Sequence, residues 1–191
     1  MECYILAGGR SRRFGGDKLL YRINSLRTIE YVVRAAQEVC DSVCVVAKER
    51  EKFADLGIPV EEDLLPDQAP IVGVYTALKL CQRDRLLILS GDIPLIKPEV
   101  LRLLMEEFRE PVTVFSTQGK LHPLVGIYSK ALYSLVEEFL KLGRRSLTDL
   151  LRNLEFKVVG EDRLRQVDPR LESLTNMNTR EDLSLILERL G

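Results

Sequence analysis

The 191-residue chain is poor in the residue types that most zinc and redox sites need. It has no tryptophan, a single histidine (His122) and four cysteines, none of which form a Cys-x-x-Cys pair. Structural zinc is held by clusters of cysteine and histidine, so a zinc centre is not expected. Cys3 and Cys44 lie in short apolar runs and Cys81 ends a helical segment. Their positions predict buried, reduced thiols.

Long apolar runs and a strong net charge are also missing. No run approaches the roughly 18 residues of a membrane span, and the apolar stretch at the N-terminus is too short for a secretory signal. The formal net charge of −1 gives no electrostatic reason to bind nucleic acid or an anionic membrane. We therefore expect a cytoplasmic protein without nucleic-acid or membrane partners. The length suits one domain over residues 1–191.

Short apolar runs alternate along the chain with segments of helical periodicity. The strand-like runs cover residues 3–7, 43–47, 86–90, 112–116 and 124–128, and the helical ones cover 29–39, 72–80, 100–108, 132–139 and 179–190. Nearly continuous apolar strands indicate a sheet that is covered on both faces. The alternation predicts a three-layer α/β/α fold with a mostly parallel, Rossmann-like sheet and right-handed crossovers.

The segment 6–18, LAGGRSRRFGGDK, follows the first strand-like run and combines two glycine pairs with three arginines and a lysine. The glycine pair Gly8-Gly9 would allow backbone N–H groups to hold phosphate oxygens, and Arg13 and Lys18 would supply positive charge. The pattern matches neither the Gly-x-x-x-x-Gly-Lys-Ser/Thr loop nor Gly-x-Gly-x-x-Gly. A basic surface loop without a ligand is the alternative at this point.

Carboxylates follow two other predicted strands. In parallel sheets the ligand site lies beyond the carboxyl ends of the strands. Asp92 follows the run 86–90, Asp63 follows the short segment 58–60, and Gly8 follows the first run, so we expect all three at one edge. A carboxylate fixed there is a candidate ligand for Mg²⁺, which commonly bridges one or two carboxylates to substrate phosphates. A turn or N-cap aspartate is the alternative interpretation of Asp92.

Several further residues are candidates for substrate contacts. Asp63 could accept hydrogen bonds from the two kinds of N–H group on a guanine edge, which adenine lacks, and Gly73 would let a flat ring approach. A solvated acidic cluster is the alternative for Asp63. His122 could contact an anionic substrate. Asn176 and Asn178 precede the last helix, where their spacing alone favours a helix cap over a ligand-binding role.

Taken together and in chain order, these motifs resemble the sugar-phosphate nucleotidyltransferase superfamily. The arginine-rich loop is similar to that of its molybdenum cofactor guanylyltransferase branch. The resemblance covers nearly the whole chain and rests on Leu6-Ala7-Gly8-Gly9, Ser11-x-Arg13-Phe14-Gly15, Asp17-Lys18, Glu62-Asp63, Pro70-x-x-Gly73, Gly91-Asp92-Ile93-Pro94, His122-Pro123 and Asn176-x-Asn178-Thr179.

This resemblance implies a fold of the nucleotide-diphospho-sugar transferase type and a specific reaction. GMP would pass from GTP to the molybdenum-molybdopterin cofactor, with release of pyrophosphate. The nucleotide site would comprise Leu6, Ala7, Gly8, Gly9, Lys18, Asp63, Gly73 and Asp92, with Asn176 and Asn178 as site asparagines. Mg²⁺ on Asp92 and the charges of Lys18 and Arg13 would carry catalysis. Handing over the product suggests contact with proteins of cofactor synthesis and molybdoenzyme maturation.

The sequence departs from the family pattern at several positions, among them Phe14, where methionine is common, and Asn24-Ser25-Leu26, which replaces Asn-Gly-Lys. Val46 stands where relatives often have an asparagine, and Ala69 replaces the first glycine of the segment before the second helix. Two rival functions also stay open. A related nucleotidyltransferase with cytidylyl or sugar-phosphate specificity would have a similar loop and metal aspartate. A non-catalytic GTP-binding adaptor of cofactor assembly would bind GTP without releasing pyrophosphate.

Overall fold

The structure is a computed structural model that describes residues 1–9 and 16–191. Its strands are β1 (Glu2–Leu6), β2 (Arg22–Ile23), β3 (Leu26–Arg27), β4 (Ser42–Ala47), β5 (Val60–Glu62), β6 (Arg85–Ser90), β7 (Val112–Thr117), β8 (Lys120–Ser129) and β9 (Lys157–Val159). Its α-helices are α1 (Thr28–Val39), α2 (Pro70–Leu80), α3 (Pro98–Glu107), α4 (Tyr133–Lys141), α5 (Leu147–Arg152), α6 (Glu161–Arg165) and α7 (Arg180–Leu190). Two short 3-10 helices span Arg50–Leu56 and Lys130–Leu132.

The main sheet has seven strands in the order β5-β4-β1-β6-β8-β7-β9. Strands β5, β4, β1 and β6 are parallel, β8 is antiparallel to both β6 and β7, and β9 is parallel to β7. The prediction of a mostly parallel α/β sheet is therefore confirmed. The prediction of a single domain over 1–191 stays a prediction, although this sheet draws strands from Glu2 to Val159.

Alternate side chains of the strands enter two separate apolar clusters. On β1, Cys3 and Ile5 pack on one face with helices α1, α3 and α6, while Tyr4 and Leu6 pack on the other with α2, α4 and α5. Because both faces are covered, the strands are nearly continuous apolar runs in the sequence. This arrangement gives the three expected layers.

The helices begin where local signals place them. Pro70 and Pro98 occupy the first turns of α2 and α3, where a missing N–H costs nothing. Thr179 caps α7: its hydroxyl accepts from Asp182 N at 3.1 Å, and the Asp182 carboxylate accepts from Thr179 N at 2.8 Å. The five predicted helices are present, whereas the sequence pattern does not predict the short α5 and α6.

The cysteines agree only in part with the prediction of buried thiols. All four are free, and Cys3 and Cys81 are buried. Cys44 is only half-buried, so that part of the prediction is wrong. The edge strand β5 begins opposite Val45 and leaves Cys44 beyond its end. Within the described residues, no helix has both the length and the apolar character needed to cross a membrane.

Candidate active site

The carboxyl ends of β1, β4, β5 and β6 are joined to one another by backbone hydrogen bonds. Gly91 N donates to Leu6 O at 3.1 Å, Ala7 N donates to Val46 O at 2.8 Å, and Asp63 N donates to Ala47 O at 2.9 Å. A Cβ atom built on Gly8 would lie 3.4 Å from Asp63 Oδ2. The structure therefore places the loops that follow these strands side by side at one edge of the sheet.

A cluster of charged and polar side chains surrounds Asp92 at this edge. Lys18 Nζ donates to Asp92 Oδ2 at 2.6 Å and to Asn178 Oδ1 at 2.7 Å, and Ser90 Oγ donates to Asp92 Oδ1 at 2.5 Å. The Asp92 side chain is only 10% exposed, so its charge is held in a partly desolvated place. Asp92 Oδ2 and Asn178 Oδ1, which come from distant parts of the chain, thus both accept from the Lys18 ammonium group.

The segment before α7 is fixed next to Asp92 by its backbone. Met177 N donates to Asp92 O at 2.8 Å, and Asn178 N donates both to Asn176 O at 3.0 Å and to Asp182 Oδ2 at 3.0 Å. Thr179, rather than either asparagine, is the helix cap. This leaves the Asn178 amide to reach Lys18, while Asn176 contacts Asn178 through its backbone oxygen.

A second polar cluster surrounds Asp63. Asp63 Oδ2 lies 3.2 Å from Lys48 Nζ, and Thr76 Oγ1 lies 3.3 Å from Asp63 Oδ1. Lys48 Nζ also donates to Leu65 O at 2.7 Å, and Leu64 N donates to Thr76 Oγ1 at 3.1 Å. The Asp63 side chain is 4% exposed and that of Lys48 is 18% exposed. Each carboxylate oxygen can accept about two hydrogen bonds, so Asp63 keeps capacity for a ligand.

A cleft of about 370 Å³, including space open to solvent, opens between the Asp63 cluster and the start of α2. Leu6, Gly8, Val46, Lys48, Asp63, Gln68, Ala69, Pro70, Gly73, Ser90 and Leu124 line it. A Cβ on Gly73 would come within 3.0 Å of the Leu6 side chain, so the missing side chain lets α2 approach β1. Gly9 has a φ of 139°, a conformation that favours glycine.

His122 is not among the residues that line this cleft, although Leu124 of the same strand is. Its Nε2 lies 2.6 Å from Thr117 Oγ1. Burial, with a smaller effect from Lys120, lowers the pKa of His122, so the imidazole is neutral at pH 7. A neutral ring bonded to a neighbouring hydroxyl provides no fixed positive charge for an anionic substrate.

Arg13 of the expected catalytic set lies outside the described residues. Two cleft residues, Lys48 and Ser90, were missed by sequence reasoning although a signal existed for both. Lys48 follows β4 and Ser90 ends β6, so the rule that selected Asp63 and Asp92 applies equally to them.

The chemistry of the donor atoms at Asp92 fits a hard divalent cation. Asp92 offers carboxylate oxygens, which suit Mg²⁺, while the Asn178 amide oxygen accepts from Lys18. Among residues 1–9 and 16–191 there is no group of three or more His, Cys, Asp or Glu side chains that could hold a metal ion. A metal ion at Asp92 would therefore take most of its ligands from substrate phosphates and water, as Mg²⁺ commonly does.

A mostly parallel sheet, a glycine turn after β1 and a lysine–aspartate cluster after β6 define the class of protein: an α/β nucleotidyltransferase. The MobA-like NTP transferase domain matches residues 3–158, and the chain belongs to this family. A relative from Aquifex aeolicus, named "Probable molybdenum cofactor guanylyltransferase", is 45% identical over 185 residues, which are 97% of this chain and 89% of that protein.

Solved structures agree with this family. A crystal structure of a protein from Aquifex aeolicus is 44% identical, has a TM-score of 0.81 and overlaps over 93% of both chains. Molybdopterin-guanine dinucleotide biosynthesis protein A from Archaeoglobus fulgidus has a TM-score of 0.85 over 99% of this chain and 98% of its own. At 24% identity, the second structure supports the fold alone.

Proposed function

We propose that the protein transfers GMP from GTP to the molybdenum-molybdopterin cofactor and releases pyrophosphate. The observation that carries this proposal is the presence of two polar clusters at one sheet edge. One, around Asp92, brings a lysine to a buried carboxylate, and the other, around Asp63, lines a cleft suited to a flat base. The name of the Aquifex aeolicus relative supports the same activity.

The spacing of the two clusters suits one nucleotide. Lys48 follows β4 and Asp92 follows β6, and β1 lies between these strands. Neighbouring strands are about 4.8 Å apart, so Lys48 and Asp92 follow strands that are roughly 10 Å apart along the edge, and Asp63, which follows β5, lies one strand further out. This distance is on the order of the reach from a nucleobase to its α-phosphate. A base in the cleft would therefore direct its phosphates toward Lys18 and Asp92.

Mg²⁺ bound at Asp92 would supply charge neutralisation for the triphosphate. Lys18 and Arg13 are the proposed partners of the pyrophosphate leaving group, and Asn178 holds Lys18 in place. Ser90 orients the Asp92 carboxylate through its hydroxyl. Positioned charges of this kind supply most of the catalysis in phosphoryl transfer.

The acceptor needs no side-chain base. A terminal phosphate has a second pKa of about 6 and is already largely dianionic at neutral pH. One of its oxygens attacks the α-phosphorus of GTP, and the bond from that phosphorus to the bridging oxygen of the β-phosphate breaks. Pyrophosphate leaves with the electron pair. The protein contributes orientation and positive charge, which bring two anions together.

Asp63 is the proposed acceptor for the guanine N1–H and N2–H groups. Ala7 and Gly8 would bring backbone close to the base and sugar, and Leu6 and Gly73 would form part of the cleft wall. Asn176 and Asn178 are proposed to complete the nucleotide or acceptor site from the other side. Proteins of cofactor synthesis and molybdoenzyme maturation are the proposed donors and recipients of the pterin.

The experiment below also tests two alternative functions. A nucleotidyltransferase for another base or acceptor would use the same sheet edge, because the fold positions the phosphates and not the base. A GTP-binding adaptor would need no phosphate-facing cluster at Asp92 in addition to a base site. The Lys18–Asp92–Asn178 contacts therefore favour a catalyst.

The decisive experiment incubates the protein with GTP labelled at the α-phosphate, Mg²⁺ and molybdenum-loaded molybdopterin. A labelled guanylated pterin and one equivalent of pyrophosphate are expected. Parallel reactions contain CTP, ATP or UTP, or a sugar 1-phosphate as acceptor. Transfer from CTP or to a sugar phosphate would replace the proposal with another specificity. Binding of GTP without pyrophosphate release would identify an adaptor.

A further inference from the structure

Lys48 is the cation of the cleft that the proposed reaction does not use. It follows β4, and its side chain lines the cleft beside Gly8 and Asp63. It is also more exposed than its partner: the Lys48 side chain is 18% accessible and that of Asp63 4%. The lysine is thus the more accessible side chain of this ion pair.

The hydrogen bonds of Lys48 leave one donor for a ligand. An ammonium group has three N–H donors and no acceptor. Within the described residues, Lys48 Nζ contacts Leu65 O at 2.7 Å and Asp63 Oδ2 at 3.2 Å. These two contacts fix the position of the nitrogen and leave a third N–H for the cleft.

The lysine and the aspartate together match the edge of one base. Guanine presents the acceptors O6 and N7, and a lysine donor is a common partner of these atoms. Next to O6, guanine presents the N1–H donor, which a carboxylate accepts. The donor Lys48 Nζ and the acceptor Asp63 Oδ2 lie 3.2 Å apart, so they can meet neighbouring groups of one base edge. Adenine has an N6 amino donor where guanine has O6, so it would meet the ammonium with the wrong polarity.

We propose that Lys48 determines base specificity by donating a hydrogen bond to O6 of guanine, with Asp63 holding its ammonium group in place. The inference rests on the proposed guanine-nucleotide function and deepens it. Relatives often have an asparagine at the position of Val46, whose side chain cannot hydrogen-bond. Lys48 would supply a polar contact to the base that Val46 cannot make. A purely structural Lys48 would only brace Asp63 and the backbone at Leu65, and the two roles respond differently to changes in the base.

The test measures dissociation constants of three nucleotides by calorimetry at pH 7 with Mg²⁺. The nucleotides are GTP, 6-thio-GTP, in which a weaker acceptor replaces O6, and ITP, which lacks the 2-amino group. The variant Lys48→Met keeps most of the unbranched side chain but removes the charged amino group. The matched control is Lys79→Met, an exposed position near the far end of α2. No acceptor substrate is needed.

The proposal predicts that the wild type binds GTP more tightly than 6-thio-GTP by roughly tenfold, and that Lys48→Met weakens GTP binding by roughly 10- to 100-fold. In Lys48→Met the preference for GTP over 6-thio-GTP disappears, while any preference for GTP over ITP is kept. Lys48→Arg, which keeps a charged donor, retains discrimination against 6-thio-GTP. Lys79→Met behaves as the wild type.

The opposite pattern overturns the proposal. If Lys48→Met loses the preference for GTP over ITP but keeps that over 6-thio-GTP, Lys48 only braces Asp63. If Lys48→Met does not fold, equal binding of GTP and 6-thio-GTP by the wild type and by Lys48→Arg overturns the proposal as well. Titrations of the wild type with ATP and CTP are added to separate the two proposals: a wild type that prefers GTP to both leaves the proposed function standing in these cases. A wild type that does not prefer GTP to ATP and CTP would overturn both the role of Lys48 and the proposed guanylyl transfer.

Discussion

Lys18 Nζ lies 2.6 Å from Asp92 Oδ2, although the two residues are 74 positions apart in the chain. The lysine comes after β1 in the chain and the aspartate follows β6, and these strands are neighbours in the sheet. Adjacent strands thus bring the lysine proposed to bind phosphate and the aspartate proposed to bind a metal ion to the same point. The first two predictions test the separate contributions of these two side chains.

Asp92→Asn should lower the rate of GMP transfer by at least roughly a hundredfold, because an amide keeps the shape of the side chain but loses its charge. The measurement is release of pyrophosphate with saturating GTP and acceptor. The matched control is Asp84→Asn, an exposed position just before β6, at the end opposite Asp92. Transfer by Asp92→Asn at the wild-type rate would refute the assignment of Asp92 as the metal ligand.

Lys18→Met should lower kcat/KM for GTP by roughly a hundredfold, since it removes one positive charge from the phosphate site. The affinity for guanosine, which has no phosphates, should stay unchanged. Steady-state kinetics and equilibrium binding of the two ligands measure these effects, with Lys79→Met as the control. An equal loss of affinity for guanosine and GTP would show that Lys18 supports the base site or the fold instead.

Gly126→Ala should destabilise the protein by about 1–3 kcal/mol, because the added methyl group has no room. The new Cβ would lie 2.8 Å from Val114 Cγ1 and 3.0 Å from the backbone oxygen of Thr113. Urea unfolding of the variant checks this. Gly16→Ala, where nothing lies within 4 Å of the new Cβ, is the control and should change stability by less than about 0.5 kcal/mol. Equal midpoints for the two variants would contradict the packing around β8.

His122 should titrate below its ordinary pKa of about 6.5, because burial disfavours the imidazolium. The unfolded chain then binds the proton more readily, so the free energy of unfolding falls as the pH drops below about 6.5. His122 is the chain's single histidine, which gives one imidazole signal to follow by NMR. His122→Gln should flatten the pH dependence of stability near pH 6. A midpoint at or above 6.5 would show that the ring is solvated.

Much of the site edge could be predicted because the relevant signals are local. An apolar run followed by glycine or aspartate marks the end of a buried strand, and the carboxyl ends of parallel strands share one edge. This rule places Asp63, Asp92 and Gly8 together, and Lys48 could have been found in the same way. The three-residue strand β9 was not predictable, because so short a segment is stabilised by its pairing with β7 rather than by its own pattern.

The sequence by itself determined the alternation of strands and helices, the helix start at Thr179 and the residues that end each strand, since these depend on neighbours along the chain. Only the tertiary structure decided that Asn178 contacts Lys18 across 160 positions and that Lys48 pairs with Asp63. Such contacts depend on the order in which strands enter the sheet and on where the final helix packs. A one-dimensional pattern of apolar and polar residues does not encode that order, because the same pattern is compatible with several strand orders.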